Sequence, residues 1–497
     1  MDHDAITALL GEIRALRASM LDAELRAAWR IDRVRERHRA SARNLVHYVE
    51  LRRHDLGDIQ TGLARLALSS LGRAESDVLG SVDRLIRVLS AIAGEGAYEP
   101  DASGEASGGD ARSELDDNAE RIFGPPRPKR RTRIMVTMPR EAATDADLVR
   151  TMAERGMDVA RINCAHDGPE AWSAMIDRLR AAGRATGRPV VVTMDLAGPK
   201  LRTGEFEADA ATLRVHVGDT IRLVPDDVPQ PVGPGPEHLV GCTLPEVFAD
   251  VRPGHRVWFD DGKIGGVATE ASEASVTVRI DRAAPDGTKL RAQKGINLPD
   301  SELRVSALTD DDLAALAFVD AHADAVSLSF VRTPDDVRAL SDRLARDDLD
   351  LILKIETVAA FRALPQILLE AMRWEDVGVM IARGDLAVEA GFERMGELQE
   401  EILWLCEAGH VPVIWATQVL DTLAKTGVPS RAEVTDAAMG ERAECVMLNK
   451  GPYIVDAITT LDDILTRMQR HARKKRSLLR RLKSWDLAGD APAALPG

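Results

Sequence analysis

Eight short apolar runs, rich in β-branched residues, alternate along the chain with stretches of helical periodicity. The runs occupy Arg133–Thr137, Met157–Asn163, Pro189–Asp195, Asp324–Phe330, Asp348–Glu356, Val377–Asp385, Pro412–Gln418 and Ala443–Asn449. Apolar residues at helical spacing separate most of these runs, for example in 145–155, 169–182, 333–345 and 394–408. Strand–helix units repeated in series predict a parallel (β/α)8 TIM barrel of the α/β class.

The segment before the barrel predicts a separate helical unit. In residues 1–95, apolar side chains such as Ile6 and Leu10 recur at helical spacing, which is typical of a small N-terminal helical bundle. Residues 96–129 are rich in glycine and acidic side chains. Such a composition offers little apolar surface to pack, so we expect a linker there.

The barrel rhythm stops within the chain and stops again near its end. Residues 205–290 contain short β-like runs with many Gly and Pro turns, which predicts a small all-β domain inserted after the third strand. The barrel is therefore expected in two parts, 130–204 and 291–470. Residues 471–497 form a basic tail, for which we expect a solvated terminal helix.

Composition excludes some classes of partner. The 497 residues carry a formal net charge of −15, which disfavours attraction to nucleic acid or to anionic membranes. The basic run 129–133 is expected to be the solvated end of the linker. No apolar run approaches the about twenty residues of a membrane span. Four cysteines without paired spacing predict reduced thiols in a cytoplasmic protein.

Polar side chains stand where the predicted strands end, which is where barrels of this kind place their chemistry. Lys354 and Glu356 are two residues apart at the end of an apolar strand, so they point to the same face. A second carboxylate, Asp385, ends another run. Two carboxylates and a lysine at strand ends indicate a divalent metal site that faces an anionic, phosphorylated substrate.

Several motifs in order resemble the pyruvate kinase family over about residues 130–470. The motifs are Val159–His166, Met194–Gly204, Phe259–Gly262, Lys294–Pro299, Lys354–Glu356, Ala382–Leu386, Trp415–Gln418 and Ser430–Glu433. The resemblance implies a Mg²⁺-dependent phosphotransferase that converts phosphoenolpyruvate and ADP to pyruvate and ATP in glycolysis. It also implies that the inserted domain closes over the site and excludes water.

The resemblance assigns roles to residues that match the family's motifs. Lys354 would be the catalytic lysine, and Glu356 and Asp385 would hold Mg²⁺, with Mn²⁺ as a possible substitute. Arg161 would bind phosphate, and Thr417 would belong to the relay that protonates the enolate.

Two further groups of residues would bind the ligands. The segment Ala382, Arg383, Gly384 and Asp385, with Thr417, would hold the substrate. Asn163, His166, Arg202 and Lys294 would contact the nucleotide.

The chain departs from the family's pattern at several positions. Ala165 replaces a serine whose hydroxyl is a K⁺ ligand in the family, and the eighth loop, Asn449–Tyr453, is altered. Lys200 stands where K⁺-dependent members have glutamate. A tethered ammonium in the region of Asn163 and Asp195 could replace the diffusible cation, so we expect that K⁺ is not required.

Two alternatives remain open at this stage. The altered eighth loop favours a non-catalytic homologue that senses a metabolite, whereas intact Lys354, Glu356 and Asp385 disfavour it. A Mg²⁺-dependent enolate lyase or aldolase on a related barrel is less compatible with the inserted β-domain. We expect a homo-oligomer without nucleic-acid or membrane partners, and no room for the C-terminal α/β domain of most family members.

Overall fold

The computed structural model describes residues 3–99, 111–207, 212–226, 228–232, 235–473 and 476–477. Its centre is a closed barrel of parallel strands in the order β1-β16-β15-β14-β13-β12-β3-β2. The barrel strands are β1 Arg133–Thr137, β2 Val159–Asn163, β3 Val191–Asp195, β12 Ala325–Leu328, β13 Asp350–Ile355, β14 Val377–Ala382, β15 Val413–Ala416 and β16 Cys445–Leu448. The predicted barrel is therefore confirmed, and every predicted run contains one of its strands.

Strand β14 ends well before the predicted run does. β14 ends at Ala382, and the following residues begin a helix, Arg383–Ala390, so that Asp385 lies in a first helical turn. The apolar run alone could not reveal this, because Gly384, in the same helical turn, packs closely against a residue of another strand end. A Cβ atom there would lie 2.8 Å from Cγ2 of Thr417, too close for another residue type.

Helices cover the outside of the barrel. They are α6 Ala146–Arg155, α7 Pro169–Thr186, α8 Asp310–His322, α9 Pro334–Ser341, α10 Val358–Ala371, α11 Arg383–Ala390, α12 Met395–Ala408, α13 Asp421–Thr426, α14 Arg431–Met439 and α15 Ile454–Met468. Several begin with a capping side chain. Thr309, Thr333 and Ser430 each form a capping box with the acidic residue three positions later.

The inserted domain is an all-β unit with its own apolar core. Its strands are β4 Leu213–Val215, β5 Thr220–Pro225, β6 Glu237–Cys242, β7 Arg256–Phe259, β8 Ile264–Ala271, β9 Val276–Arg282, β10 Thr288–Leu290 and β11 Ile296–Asn297. Six of them form one sheet in the order β11-β7-β8-β9-β5-β6, and β10 pairs with β4. The domain leaves the barrel after β3, as the sequence predicts.

The N-terminal helices form a bundle that also packs on the barrel. The helices are α1 His3–Ile31, α2 Arg39–Leu51, α3 Gly57–Arg65 and α4 Val78–Ile92. Leu10, Ile13 and Ile86 belong to the bundle's own core. Leu45 of α2 instead joins the core of the barrel, and Arg37 pairs with Asp376 at 2.9 Å.

A fifth helix, α5 Ala111–Phe123, lies inside the segment predicted as a linker. Its Ile122 and Phe123 are fully buried and pack against the barrel interior, where they meet strand residues such as Ile352 and Met380. The linker prediction departs from the structure here because the segment's acidic, glycine-rich average conceals a short apolar stripe. α5 therefore closes the end of the barrel where the strands begin.

Two of the four basic residues in the run before β1 are buried rather than solvated, which corrects the sequence-based expectation in part. Arg130 and Arg133 are each 2% exposed. Arg130 pairs with Asp158 at 2.9 Å and with Asp462 at 2.6 Å. Those partners lie far along the chain, so the charges seemed unpaired in the sequence. Guanidinium groups held in this way present no basic surface to a nucleic acid.

The C-terminal segment is described only in part. β17 Ala472–Arg473 pairs with β18 Arg476–Ser477, whereas the rest of the predicted basic tail lies outside the described residues. Within the described ranges, no helix is long and apolar enough to span a membrane.

An acidic side chain at the start of β13 gives stability an unusual pH dependence. Burial, together with the charges of Asp376 and Asp324, raises the pKa of Asp350 to about 8. An unfolded aspartate has a pKa of about 3.9. The folded chain therefore keeps a proton that the unfolded chain has lost between about pH 4 and pH 8. Asp350 should lower stability progressively as pH rises through that window.

Replacing Asp350 by asparagine should remove this pH dependence. The free energy of unfolding of Asp350→Asn, minus that of wild type, should increase as pH rises to about 8. The increase should be at most about 1.4 kcal/mol per pH unit. Urea unfolding at pH 5 and pH 8 would measure the difference. Asp348→Asn is a suitable control, since that side chain is 71% exposed. An equal effect of Asp350→Asn at both pH values would contradict the account.

Candidate active site at the carboxyl ends of the barrel strands

A buried ammonium group occupies the centre of the barrel mouth. Lys354 Nζ donates to Ser329 Oγ at 2.7 Å and lies 3.3 Å from Glu356 Oε1 and 3.5 Å from Asp195 Oδ2. Its side chain is 11% exposed. Burying a charge is costly unless it is paired and hydrogen-bonded, and three oxygen atoms around Nζ meet that condition. Lys354 and Glu356 face the same site, as their spacing predicts.

The carboxylate of Asp195, at the end of β3, lies between two cations, Arg161 and Lys354. Arg161 Nε donates to its Oδ2 at 2.7 Å, and Arg161 Nη1 donates to Thr137 Oγ1 at 3.1 Å. Burial would raise the pKa of Asp195, but Arg161 and Lys354 hold it below the ordinary value. Its Oδ1 is buried and accepts no hydrogen bond of ordinary geometry from the described residues, although the nearby Ser327 hydroxyl helps to lower the Asp195 pKa. The site thus keeps one electron-rich oxygen for a cation or a donor.

Glu356 and Asp385 form the pair of carboxylates predicted to bind metal. Burial raises the pKa of Glu356, the charge of Lys354 opposes that shift, and the charge of Asp385 adds to it. Glu356 Oε2 also accepts a 2.6 Å hydrogen bond from the N–H of Phe330. Within the described ranges, no three His, Cys, Asp or Glu side chains form a metal-binding group. Two carboxylates nonetheless fit Mg²⁺, which commonly takes one or two plus substrate oxygens and waters.

Lys200 lies next to Asp385, one of the two carboxylates predicted to bind metal. Its Nζ contacts both oxygens of Asp385, at 2.9 and 3.0 Å, and lies 5.8 Å from the centre of the Phe330 ring. We expected it in the region of Asn163 and Asp195. Instead, the ammonium is placed on the carboxylate of Asp385, while the Asn163 side chain accepts from the N–H of Ala165 at 3.1 Å.

The Arg383 side chain is committed to shaping the site. It donates to the carbonyl oxygens of Ala416 and Thr417, each at 2.7 Å, pairs with Asp436, and stacks 4.5 Å from the centre of the Trp415 ring. Thr417 has a φ of 72°, a strained conformation for a β-branched residue. The guanidinium fixes this turn, against which Gly384 packs.

A cavity of about 120 Å³ opens beside Arg161 at the other side of the mouth. Asn163, His166, Thr137 and Lys450 are among the residues that line it. Burial, followed by the charges of Lys450 and Arg202, lowers the pKa of His166. A neutral imidazole beside two cations suits an anionic ligand such as a phosphate chain.

The other two predicted nucleotide residues lie toward the inserted domain. Arg202 donates to the carbonyl of Gln293 at 3.1 Å, and Lys294 pairs with Asp260 at 3.0 Å. The structure therefore does not bring Lys294 into the described lining of the 120 Å³ cavity.

A larger cavity of about 420 Å³ separates the inserted domain from the barrel. The side of this cavity nearest the two predicted metal-binding carboxylates is lined by Lys200, Phe330 and Asp385. Across this cleft, Asn297 of the inserted domain donates to Glu389 of α11 at 3.0 Å. Burial raises the pKa of Glu389 to about 7. The bond joins the two domains close to the candidate chemistry.

Sequence reasoning missed Lys450 and the bond between Asn297 and Glu389. Lys450 stands in the altered eighth loop, so that departure was the available signal. The Asn297–Glu389 bond joins residues 92 positions apart, and the sequence carried no indication of it.

Comparison with known proteins agrees with this geometry. A family model described as "Pyruvate kinase, barrel domain" matches residues 129–458. A pyruvate kinase of Methylorubrum extorquens is 34% identical over 350 residues, covering 69% of this chain and 70% of that protein. The pyruvate kinase of Mycobacterium tuberculosis is 34% identical over 357 residues, covering 69% and 71%.

A third relative is matched over less of its length. A pyruvate kinase of Corynebacterium efficiens is 34% identical over 327 residues, covering 65% of each chain. The similarity to all three relatives spans about two thirds of this chain, and the match to the family model includes the residues of the barrel mouth. The chain belongs to the pyruvate kinase family.

Proposed function

We propose that this protein transfers the phosphoryl group of phosphoenolpyruvate to ADP, giving pyruvate and ATP. The observation that carries the proposal is the buried Lys354 ammonium, held among Ser329, Glu356 and Asp195 at the barrel mouth. Phosphoryl transfer asks a protein mainly for positioning and for electrostatic stabilisation of charge on the moving group. A desolvated cation with fixed partners meets both requirements.

Arg161 would bind the phosphoryl group beside Lys354. Its Nε and Nη1 are oriented by Asp195 and Thr137, so the guanidinium is preorganised and pays little entropy on binding. The planar group suits two-point contact with phosphate oxygens.

Glu356 and Asp385 would hold Mg²⁺, or Mn²⁺ in its place. The bound ion would neutralise charge on the phosphoryl oxygens. Lys200, which contacts both oxygens of Asp385, must then share that carboxylate with the ion or move away from it. If Lys200 shares the carboxylate with the ion, its ammonium group stays next to the reacting atoms.

The substrate's carboxylate would lie against the backbone at Ala382, Arg383 and Gly384, where α11 begins. First-turn N–H groups of a helix are unpaired and favour anions. Arg383 supports this segment through its bonds to the β15 end. Thr417 would take part in the proton relay that converts the enolate to pyruvate.

The nucleotide would lie on the side of Asn163 and His166. Lys450 lines the same cavity and would add a positive charge toward the phosphates of ADP. Arg202 lies where the chain enters the inserted domain, and Lys294 lies in the segment that leads back from it to the barrel. Closure of that domain would bring both toward the nucleotide and exclude water from the transfer.

The protein would act in glycolysis in the cytoplasm, as a homo-oligomer. Its net charge of −15 disfavours nucleic acid and membranes as partners. Small anionic metabolites would bind through local cationic sites such as Lys354 and Arg161.

A coupled assay tests the proposal. Purified protein, phosphoenolpyruvate, ADP and Mg²⁺ should generate pyruvate, which lactate dehydrogenase reports by oxidising NADH.

The second candidate is a metabolite sensor without turnover, favoured by the ion pair of Lys200 with both Asp385 oxygens. Calorimetric binding of phosphoenolpyruvate without any pyruvate formation would select the sensor.

Turnover should not need potassium. The Lys200 ammonium lies 2.9 Å from a predicted metal ligand, so a permanent monovalent charge is already present near the phosphoryl group. Activity in sodium or tetramethylammonium buffer of matched ionic strength should be within about tenfold of that in potassium buffer. Lys200→Glu should impair activity in sodium, whereas Lys425→Glu, at an exposed position, should not.

The paired variant Lys200→Glu with Ala165→Ser is the fuller test, because it restores both family side chains. It should regain activity in potassium buffer. Wild-type activation by potassium of tenfold or more over sodium would reject the tethered ammonium.

A further inference from the structure

A groove between the N-terminal bundle and the barrel has the features of a binding site outside the barrel mouth. It has a volume of about 180 Å³ and lies between the end of α1 and helices α9 and α10. We call it the Trp29 groove, after the residue that lines it together with Arg30, Arg33, Asp335, Arg338 and Glu370. Pockets that enclose a drug-sized ligand usually exceed about 300 Å³, so this one would hold part of a small ligand.

The cations of the Trp29 groove differ in how they are paired. Arg338 is paired with Asp335 and lies 3.9 Å from Glu370, which also pairs with Arg373. In the described part of the chain, the guanidinium groups of Arg30 and Arg33 have no hydrogen bond or ion pair. The two carboxylates are thus already neutralised, and two positive charges are left for an anion.

Trp29 supplies a flat surface beside those charges. It is 56% exposed, which is unusual for so large an apolar side chain. The guanidinium of Arg30 stacks on it, with Cζ 4.6 Å from the ring centroid. Stacking uses the face of the guanidinium and leaves its N–H groups in the plane free to donate to an anion.

The groove is held rigidly against the barrel. Just after α1, Arg35 donates to the carbonyls of Arg373 and Asp347, each at 3.0 Å, and pairs with Glu375 at 2.9 Å. The end of α1 therefore keeps its position over α9 and α10 without a ligand. A preformed site loses less entropy on binding than a mobile one.

We propose that the Trp29 groove binds a small phosphate monoester that carries a planar ring, the chemistry of a nucleoside monophosphate. The ring would stack on Trp29, and the phosphate would accept hydrogen bonds from Arg30 and Arg33. This site is separate from the proposed catalysis, and neither its ligand nor its test depends on turnover.

Both helices beneath the groove also reach the cleft between barrel and inserted domain. Thr333 and Asp336, at the start of α9, and Thr357 and Val358, at the start of α10, line the 420 Å³ cavity. A ligand in the Trp29 groove would therefore contact the same two helices that border the candidate active site. Binding should slow amide hydrogen exchange in α9 and α10.

Isothermal titration of the full-length protein with AMP tests the proposal, with adenosine and inorganic phosphate as separate probes. AMP should bind more tightly than either fragment, because only AMP uses both the ring and the cations. Binding of AMP no tighter than that of phosphate would overturn the aromatic part of the site. Absence of AMP binding at millimolar concentration would overturn the site itself.

Variants locate the binding. The double variant Arg30→Gln with Arg33→Gln, and separately Trp29→Ala, should each weaken a measurable AMP titration by about tenfold or more. Arg26→Gln is the control, since Arg26 lies on the same helix and pairs with Asp22. AMP affinity that is unchanged in the groove variants, or equally reduced in the control, would show binding elsewhere and overturn the proposal.

Discussion

Replacing Lys354 by methionine is expected to lower kcat by roughly 10²–10⁴-fold, because the transferring phosphoryl group loses its desolvated cation. The fold should survive. Methionine removes a buried charge, and the oxygens left behind keep other donors, Arg161 for Asp195 and the Phe330 N–H for Glu356. Steady-state kinetics with the coupled assay would measure the change, and circular dichroism would check the fold.

Lys425→Met is the matched control for this variant. Lys425 is 60% exposed and pairs with Asp421 on a surface helix, so its loss should leave kcat unchanged. Near-wild-type turnover in Lys354→Met would remove Lys354 from the chemistry and with it the basis of the proposed function.

The second large effect concerns stability. Phe123→Ala should lower the free energy of unfolding of the barrel by about 3–5 kcal/mol, because it empties a fully buried site. Phe123 lies with Ile122 beneath the strands, and Ile122 Cδ1 would be 3.1 Å from a Cβ placed on Gly378. Urea unfolding followed by far-UV circular dichroism would measure the change.

Phe392→Ala is the control, since that ring is 59% exposed. Its substitution should change stability by less than about 0.5 kcal/mol. If the two phenylalanine variants were equally stable, α5 would not close the barrel. A chain that begins at Pro126 would lose the whole of α5, and we expect it to expose the barrel interior and to aggregate.

The barrel and the centre of the candidate site could be predicted from the sequence. Strand periodicity put Lys354 and Glu356 on one face, and the βα order put their strand next to the others. Both inferences depend on local patterns, which a single sequence carries well. The ends of the predicted strands also put Arg161, Asp195 and Asp385 at the same end of the barrel, and the resemblance to pyruvate kinase then suggested their roles.

What the sequence could not reveal depends on contacts between distant residues. Lys200 and Asp385 are 185 positions apart, and no local pattern joins them. Arg130 reads as a solvated charge until Asp158 and Asp462 are brought to it by the fold. α5 was missed because a few buried side chains, among them Ala119, Ile122 and Phe123, do its packing within an otherwise polar segment.

Direct observation of phosphoryl transfer tests the central claim. Phosphorus NMR of the purified protein with phosphoenolpyruvate, ADP and Mg²⁺ would follow each phosphate without a coupling enzyme. We predict that the phosphoenolpyruvate signal falls as the γ-phosphate signal of ATP rises in equal amount, and that Lys354→Met slows both together. Loss of phosphoenolpyruvate to inorganic phosphate without ATP, or no change over hours at saturating substrate, would contradict a kinase built on Lys354, Glu356 and Asp385.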